Sequence, residues 1–286
     1  MRNFATMKAI RINPELCLRC GACARECPQN VLVQATEKTV PMVQRPEECI
    51  ACGHCAALCP SSALQHPAFP PENIVQVEEK RLPSPESVLE LMRSRRTNRS
   101  ITSRPVPDNV ISDVLEAARY APTAENSRRV RVSVIRDSQE IQAIEDATMR
   151  FFLRLARILL HPIVRPLTKL FLADLYRQAP ALEAFRKRWE AGERPSVCNA
   201  NVILAFSTPK GYDFGWQDCN LAYQNASLMA EAHGISQIYL GFVQTACKLF
   251  GPRRTAQLLH LPEGHRLYAL MALGVPALKY RRYTRR

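Results

Sequence analysis

The spacing of apolar and polar residues changes several times along the chain. Val88, Leu89, Leu91 and Met92 recur at helical spacing, which predicts a helix there. Ser84 stands where an N-cap belongs, Pro85 suits the first helical position, and Glu86 favours the positive helix end. From Asp108 to Arg119, Val110, Ile111, Val114, Leu115 and Ala118 share one face, predicting a second helix. Val130 to Ile135 alternates apolar and polar residues and reads as a strand. Asn201 to Ser207 is a nearly continuous apolar run of strand length. Asp218 is placed to cap a helix running to Ala232, and Gly234 to stop it. Ser236–Gly241 and Leu267–Gly274 read as further strands. Strands separated by helices predict an α+β chain with a mixed sheet packed between helices.

Upstream of Ser84 the pattern is different. Residues 67–85 hold Pro67, Pro70, Pro71, Pro83 and Pro85, and Glu72 to Lys80 is polar without helical period. The chain therefore divides into residues 1–66, a linker over 67–83, and residues 84–286. Met1 to Ile10 contains no apolar signal region. No stretch reaches the roughly 18 apolar residues of a membrane span. The expected location is the cytoplasm.

Composition adds two facts. Hydrophobic residues make up 47% of 286, enough for a core, which excludes a disordered chain. Of 11 cysteines, eight lie between Cys17 and Cys59. In a reducing compartment clustered thiols read as metal ligands. They form an internal repeat. Cys17-x2-Cys20-x2-Cys23-x3-Cys27-Pro28 recurs as Cys49-x2-Cys52-x2-Cys55-x3-Cys59-Pro60, with Gly21 and Gly53 in equivalent places. Thiolates this close let a tight loop wrap three corners of an iron–sulfur cube. Zinc knuckles or a disulfide framework suit two such runs poorly. His54 lies inside the second loop, but the repeat places Ala22 opposite it, so a solvated loop histidine is expected.

Over residues 8–66 the chain resembles two-cluster bacterial ferredoxins. That resemblance implies two [4Fe–4S] clusters in which the fourth cysteine of each run serves the other cluster. One cluster would use Cys17, Cys20, Cys23 and Cys59. The second would use Cys49, Cys52, Cys55 and Cys27.

The later part lacks Gly-x-Gly-x-x-Gly and Gly-x4-Gly-Lys-[Ser/Thr], so a Rossmann or P-loop reading has no support. His161, His233, His260 and His265 are isolated and read as structural or solvated. Arg95, Arg96, Thr97 and Arg99 crowd one segment after the first helix, a set able to grip a phosphate. Ala121-Pro-Thr-Ala-Glu-Asn126, Ile238-Tyr-Leu-Gly241, Leu273-Gly-Val-Pro276 and a basic tail follow in order.

In that order these segments resemble the flavin-dependent nitroreductase family over about residues 86–286. The resemblance implies FMN as cofactor. Arg95, Thr97 and Arg99, next to Arg96 and joined by Arg282, would bind its phosphate. Pro122, Thr123 and Asn126 would line the ring and ribityl chain. Backbone groups at Tyr239, Leu240 and Gly241 would face the ring edge. It also implies a homodimer. One departure stands at Ser127-Arg128-Arg129-Val130, where the family often has x-Gln-Pro-Trp, so substrate preference does not transfer. Arg128 reads as a surface arginine.

Arg150 to Leu172 mixes apolar residues with Arg150, Arg154, Arg157, Arg165 and Lys169, broken by Pro162 and Pro166. A helical excursion over the cleft or at the dimer interface is the favoured reading over a membrane surface. No nucleic-acid motif accompanies the charge. Cys198, Cys219 and Cys247 read as buried thiols. The formal charge is +13. Roughly −2 for each oxidised cluster and −2 for a flavin phosphate would bring the loaded chain to about +7.

The expectation is an iron–sulfur flavoprotein oxidoreductase that passes electrons between two clusters and FMN to a small organic acceptor. NAD(P)H or a ferredoxin would serve as donor. A ferredoxin-type carrier without catalysis, or a specialised relative such as a dehalogenase, is the alternative.

Overall fold

The computed structural model describes residues 10–159, 161–163 and 173–285. It has two compact units, Met1–Leu82 with Glu125–Ser127, and Pro83–Ala124 with Arg128–Arg286.

The first unit is built on the repeat. Strand β1 (Arg11–Ile12) pairs antiparallel with β4 (Leu64–Gln65), and β2 (Leu32–Val33) with β3 (Met42–Val43). Two one-turn helices, α1 (Ala22–Arg25) and α2 (His54–Ala57), follow Gly21 and Gly53. These glycines take φ 71° and 83°, where a side chain is strained. The backbone repeats elsewhere too: Arg19 and Ala51 have φ 56° and 50°, and Asn30 and Ser62 have φ 49° and 52°. Leu32, Ala56 and Leu64 form a small core. Phe69, inside the segment read as a linker, packs on that core. The rest of that segment makes short 3-10 turns at Pro71–Asn73 and Glu79–Arg81.

In chain order the second unit contains α3 (Pro85–Ser94), α4 (Asp108–Arg119), β5 (Arg131–Ile135), α5 (Ser138–Leu159) and α6 (Ala173–Glu190). There follow β6 (Val202–Pro209), α7 (Gly215–Ala232), β7 (Ser236–Tyr239), α8 (Gly241–Phe250), α9 (Pro252–Leu258) and β8 (His265–Gly274). The sheet order is β5-β6-β8-β7. A sheet between helices is found as expected. Its three pairings among the described strands are all antiparallel, where a mixed sheet was read from the pattern.

Strand β6 explains its own apolar run. Val202, Leu204 and Phe206 face a core with α4 and α7, while Ile203 and Ala205 face a second core with α5 and α8. Buried on both faces, the strand has no position for alternating polar residues.

Helix α3 is capped by Ser84, whose Oγ accepts from the Ser87 N–H at 3.2 Å. None of its residues is buried, and Leu89 and Met92 stay 45% and 49% exposed. Helix α7 starts at Gly215, a turn earlier than its predicted cap. The Asp218 N–H donates to Phe214 O, placing Asp218 inside the first turn, and its carboxylate is used elsewhere.

The amphipathic segment starts inside α5, and residues 164–172 lie outside the described residues. Phe152 is buried and stacks on Phe242 with centroids 3.9 Å apart, so this part of the apolar face packs on protein. Among the described residues no helix is long and apolar enough to cross a membrane.

Candidate cluster and flavin sites

All eleven cysteines are free thiols. The eight of the repeat line two cavities. One, of about 370 Å³ with its mouth, is lined by Cys17, Cys20, Cys23 and Cys59. The other, of about 390 Å³, is lined by Cys27, Cys49, Cys52 and Cys55. Among the described residues no three His, Cys, Asp or Glu side chains converge on a single-ion site. The thiols surround a volume rather than a point, which suits a cube of iron and sulfide.

Local backbone prepares these sulfurs. At Arg19 and Ala51, both left-handed, the N–H is turned toward the first sulfur of its own run. Arg19 N–H donates to Cys17 Sγ and Ala51 N–H to Cys49 Sγ, both at 3.4 Å. Val31 N–H donates to Cys27 Sγ at 3.3 Å. Amide donors of this kind favour a sulfur that carries negative charge. The thiols also disfavour one another. Burial, followed by the charges of Cys52, Cys49 and Cys27, pushes the Cys55 thiol up to about 12. Burial and the neighbouring Cys59 and Cys17 likewise raise Cys23. Four thiolates in one cavity need a cationic centre, which the irons of a cluster would supply. The residues fit the group.

His54 is exposed at the start of α2. A different histidine, passed over in the sequence, stands at the second cavity. His66 is 4% exposed, and its Nε2 lies 3.4 Å from Cys49 Sγ. Its Nδ1 accepts from the Ala68 N–H at 3.1 Å, and its ring lies 5.0 Å from that of Phe69. Burial lowers its pKa below the usual histidine range. The repeat held a signal, since its offset maps His66 onto Gln34, a polar side chain at the same place.

In the second unit, the segment after α3 is held by the chain's tail. Asn98 Nδ2 donates to Leu278 O at 2.6 Å, Ala277 N–H to Ser100 O at 2.7 Å, and Thr102 N–H to Val275 O at 2.8 Å. Ser236 Oγ donates to Asn98 O. Arg93 lies over the ring of Tyr283, 5.8 Å from its centroid. Arg95, Arg96 and Thr97 are half-buried; Arg99 is exposed, as is Arg282. Arg96 Nη1 donates to Arg95 O at 3.2 Å.

Arg95 and Arg99 face different surroundings. The Tyr223 hydroxyl is driven up by burial and by Tyr239, while the Arg95 charge acts against that rise. Burial raises Cys198 while the charges of Arg99 and Arg188 oppose it. The rings of Tyr223 and Tyr239 are 4.7 Å apart. Tyr223 Oη donates to Gln237 Oε1 at 3.2 Å, and Gln237 Nε2 has no hydrogen-bond partner among the described residues although Gln237 is buried. An orphaned buried donor fits an oxygen-rich ligand such as a flavin.

The remaining candidates divide. Pro122 is exposed, and Thr123 Oγ1 accepts from the Arg128 N–H at 3.0 Å. Asp218 anchors this loop: it accepts from the Ala124 N–H at 3.2 Å and from Tyr212 Oη at 2.7 Å. Asn126 counts with the first unit, where its Nδ2 donates to the carbonyls of Ile50 and Ala51 at 3.2 and 2.6 Å. Glu125, Asn126 and Arg128 all take φ near +50°, an uncommon backbone. Tyr239 is half-exposed. Leu240 is buried; its N–H donates to Leu270 O at 3.0 Å and its carbonyl accepts from the Gln244 N–H at 2.9 Å. Gly241 opens α8, where the first N–H groups lack helical acceptors.

Cys219 and Cys247 are buried and burial pushes both thiols up to about 12, which leaves them inert at neutral pH.

Residues 92–275, more than half of the chain, match the model of the nitroreductase family, and residues 9–61 match the 4Fe-4S dicluster domain. The chain belongs to the nitroreductase family and is an oxidoreductase of that type. An "NADH dehydrogenase" of Thermus thermophilus is 29% identical over 189 residues, covering 64% of this chain and 83% of the relative. A "Putative NADH dehydrogenase/NAD(P)H nitroreductase" of Methanothermobacter thermautotrophicus is 24% identical over 191 residues, covering 66% and 78%. A nitroreductase with bound FMN from Desulfitobacterium hafniense shares the fold, with TM-score 0.52 at 20% identity over 69% of this chain and 93% of that one.

Proposed function

We propose that the chain is an iron–sulfur flavoprotein, with a cluster module over 1–66 and a flavin module over 84–286 joined by 67–83. Cys17, Cys20, Cys23 and Cys59 hold one [4Fe–4S] cluster; Cys49, Cys52, Cys55 and Cys27 hold the other. The observation that carries this reading is the sorting of eight thiols into two four-thiol cavities on a nitroreductase-family chain. FMN is supported by the orphaned buried Gln237 donor and by the FMN of the fold relative.

When bound, FMN would supply two-electron chemistry at its ring and the clusters one-electron transfer. The chain's part is to bind and orient. Arg95, Arg99 and Arg282 would neutralise the phosphate and the Thr97 hydroxyl would donate to it, with Arg96 bracing the Arg95 carbonyl. Pro122 and Thr123 would border the ring and ribityl chain, while the Asn126 amide is engaged by the Ile50 and Ala51 carbonyls. Backbone at Tyr239 and Gly241 would face the ring edge, whereas the Leu240 N–H and carbonyl are already taken by Leu270 and Gln244. No side-chain nucleophile is needed. The acceptor is a small oxidised organic molecule of the nitroaromatic, quinone or activated-alkene class. NAD(P)H as donor is favoured by the names of the Thermus and Methanothermobacter relatives. The exposed stripe of Leu89 and Met92 supports a homodimer in which it is covered.

Iron, sulfide and flavin counts on anaerobically purified protein test the reading. About eight irons, eight sulfides and one FMN per chain are expected. A chain that holds its clusters without flavin overturns it.

A further inference from the structure

We propose that His66 raises the reduction potential of the cluster held by Cys27, Cys49, Cys52 and Cys55, by donating a hydrogen bond from Nε2 to Cys49 Sγ. This rests on the cluster assignment proposed above.

The tautomer follows from the surroundings. A neutral imidazole has one donor nitrogen and one acceptor. The Ala68 N–H already points at Nδ1, 3.1 Å away, so Nδ1 is the acceptor. The proton is then on Nε2, the nitrogen 3.4 Å from Cys49 Sγ. The ring has little freedom to leave, being 4% exposed and packed on Phe69.

The effect on potential follows from charge. Reduction adds one electron to the cluster and its sulfurs; no bond breaks and His66 keeps its proton. A donor aimed at a ligating sulfur stabilises the more negative, reduced form more than the oxidised one. Hydrogen bonds to the sulfurs are among the factors that set such potentials.

The internal repeat supplies a built-in comparison. Gln34 is the counterpart of His66, and Cys17 of Cys49. Gln34 Nε2 gives its two protons to the carbonyls of Arg19 and Thr39, at 2.9 and 2.8 Å. Both halves share the amide donor, Arg19 to Cys17 and Ala51 to Cys49. The imidazole is the element the first half does not reproduce.

The test uses the full-length, loaded protein in three forms: wild type, His66→Leu and His66→Gln. Potentiometric titration followed by electron paramagnetic resonance reads each cluster. His66→Leu is expected to make one cluster about tenfold harder to reduce, about 59 mV lower, with the other unmoved. That cluster is the one Cys52→Ala removes. Gln keeps an N–H at the Nε2 position, so His66→Gln is expected to hold the wild-type value. Unmoved potentials in a fully loaded His66→Leu protein overturn the proposal, as does His66→Gln falling as far as His66→Leu. If His66→Leu loses iron, wild type carrying 15N-histidine decides. A histidine nitrogen coupled to the reduced cluster in wild type and lost in His66→Gln supports the proposal, and its absence in wild type overturns it. A wild-type chain without iron and sulfide overturns both this proposal and the cluster assignment.

Discussion

Cys27 lines the same cavity as Cys49, although it closes the first cysteine run and Cys49 opens the second. Cys59, which closes the second run, lines the cavity of Cys17. The two runs are therefore interleaved, and neither half of the repeat has a complete four-thiol cavity of its own.

Interleaving makes a distinct prediction for single substitutions. Cys27→Ala and Cys52→Ala should abolish the same paramagnetic signal on reduction, and Cys59→Ala and Cys20→Ala the other. Spectra of the four variants decide it. If Cys27→Ala and Cys20→Ala remove the same signal, the crossed ligation is wrong.

Flavin retention should depend on the guanidiniums after α3. A charge-assisted hydrogen bond to phosphate contributes about 1.5–3 kcal/mol, so Arg95→Ala or Arg99→Ala should weaken FMN binding about ten- to a hundredfold. Fluorescence titration of apoprotein with FMN measures this. Unaltered affinity in both variants would refute the phosphate assignment.

Asp146 should contribute stability with a defined pH dependence. Burial acts to raise its pKa, but hydrogen bonds from Trp189 and Gln142 and the charge of Arg150 prevail and lower it. Trp189 Nε1 donates to it at 3.0 Å from α6, and Arg150 Nη2 at 2.7 Å within α5. A depressed folded-state pKa stabilises the fold above the unfolded value of 3.8 and loses that contribution as pH falls through the folded value. Asp146→Asn should thus show a shallower loss of melting temperature than wild type below about pH 4. Parallel acid limbs for the two proteins would contradict this.

The apolar stripe of α3 should be covered in solution by a second chain. Leu89→Asp places a charge where Leu89 is now 45% exposed, and Met92 on the same stripe is 49% exposed. Light scattering is expected to give twice the 32.3 kDa chain mass for wild type and a shift toward that chain mass for the variant. A monomeric wild type at micromolar concentration would remove the dimer.

Much of the fold was legible because local physics decides it. Ser84 before Pro85 marks a helix start in any context, since the cap bonds within its own turn. The strands at 131–135 and 202–209 were visible from apolar spacing alone. The start of α7 was misread because Asp218 looks like a cap in sequence. Its carboxylate instead binds Ala124 and Tyr212, partners that only the folded chain brings to it. The all-antiparallel pairing was not legible either, since apolar spacing reports which face is buried and not which neighbour lies alongside.

The candidate sites divide the same way. Eight cysteines at fixed spacing, and an Arg-rich segment after a helix, are properties of the chain as written. His66 has only a polar Gln34 as its counterpart in the repeat, which by itself names no role. Its meaning comes from the Ala68 N–H on one side and Cys49 Sγ on the other.

The sequence by itself determined the repeat, the number and spacing of thiols, and the type of most elements, because those depend on neighbours within a few residues. The crossed grouping of thiols was implied by the ferredoxin resemblance and is met by the two cavities, whereas tertiary structure alone decided which nitrogen of His66 faces a sulfur. Those are contacts between residues separated in the chain, set by the packing within the unit that holds the cysteines, around Leu32, Ala56 and Leu64.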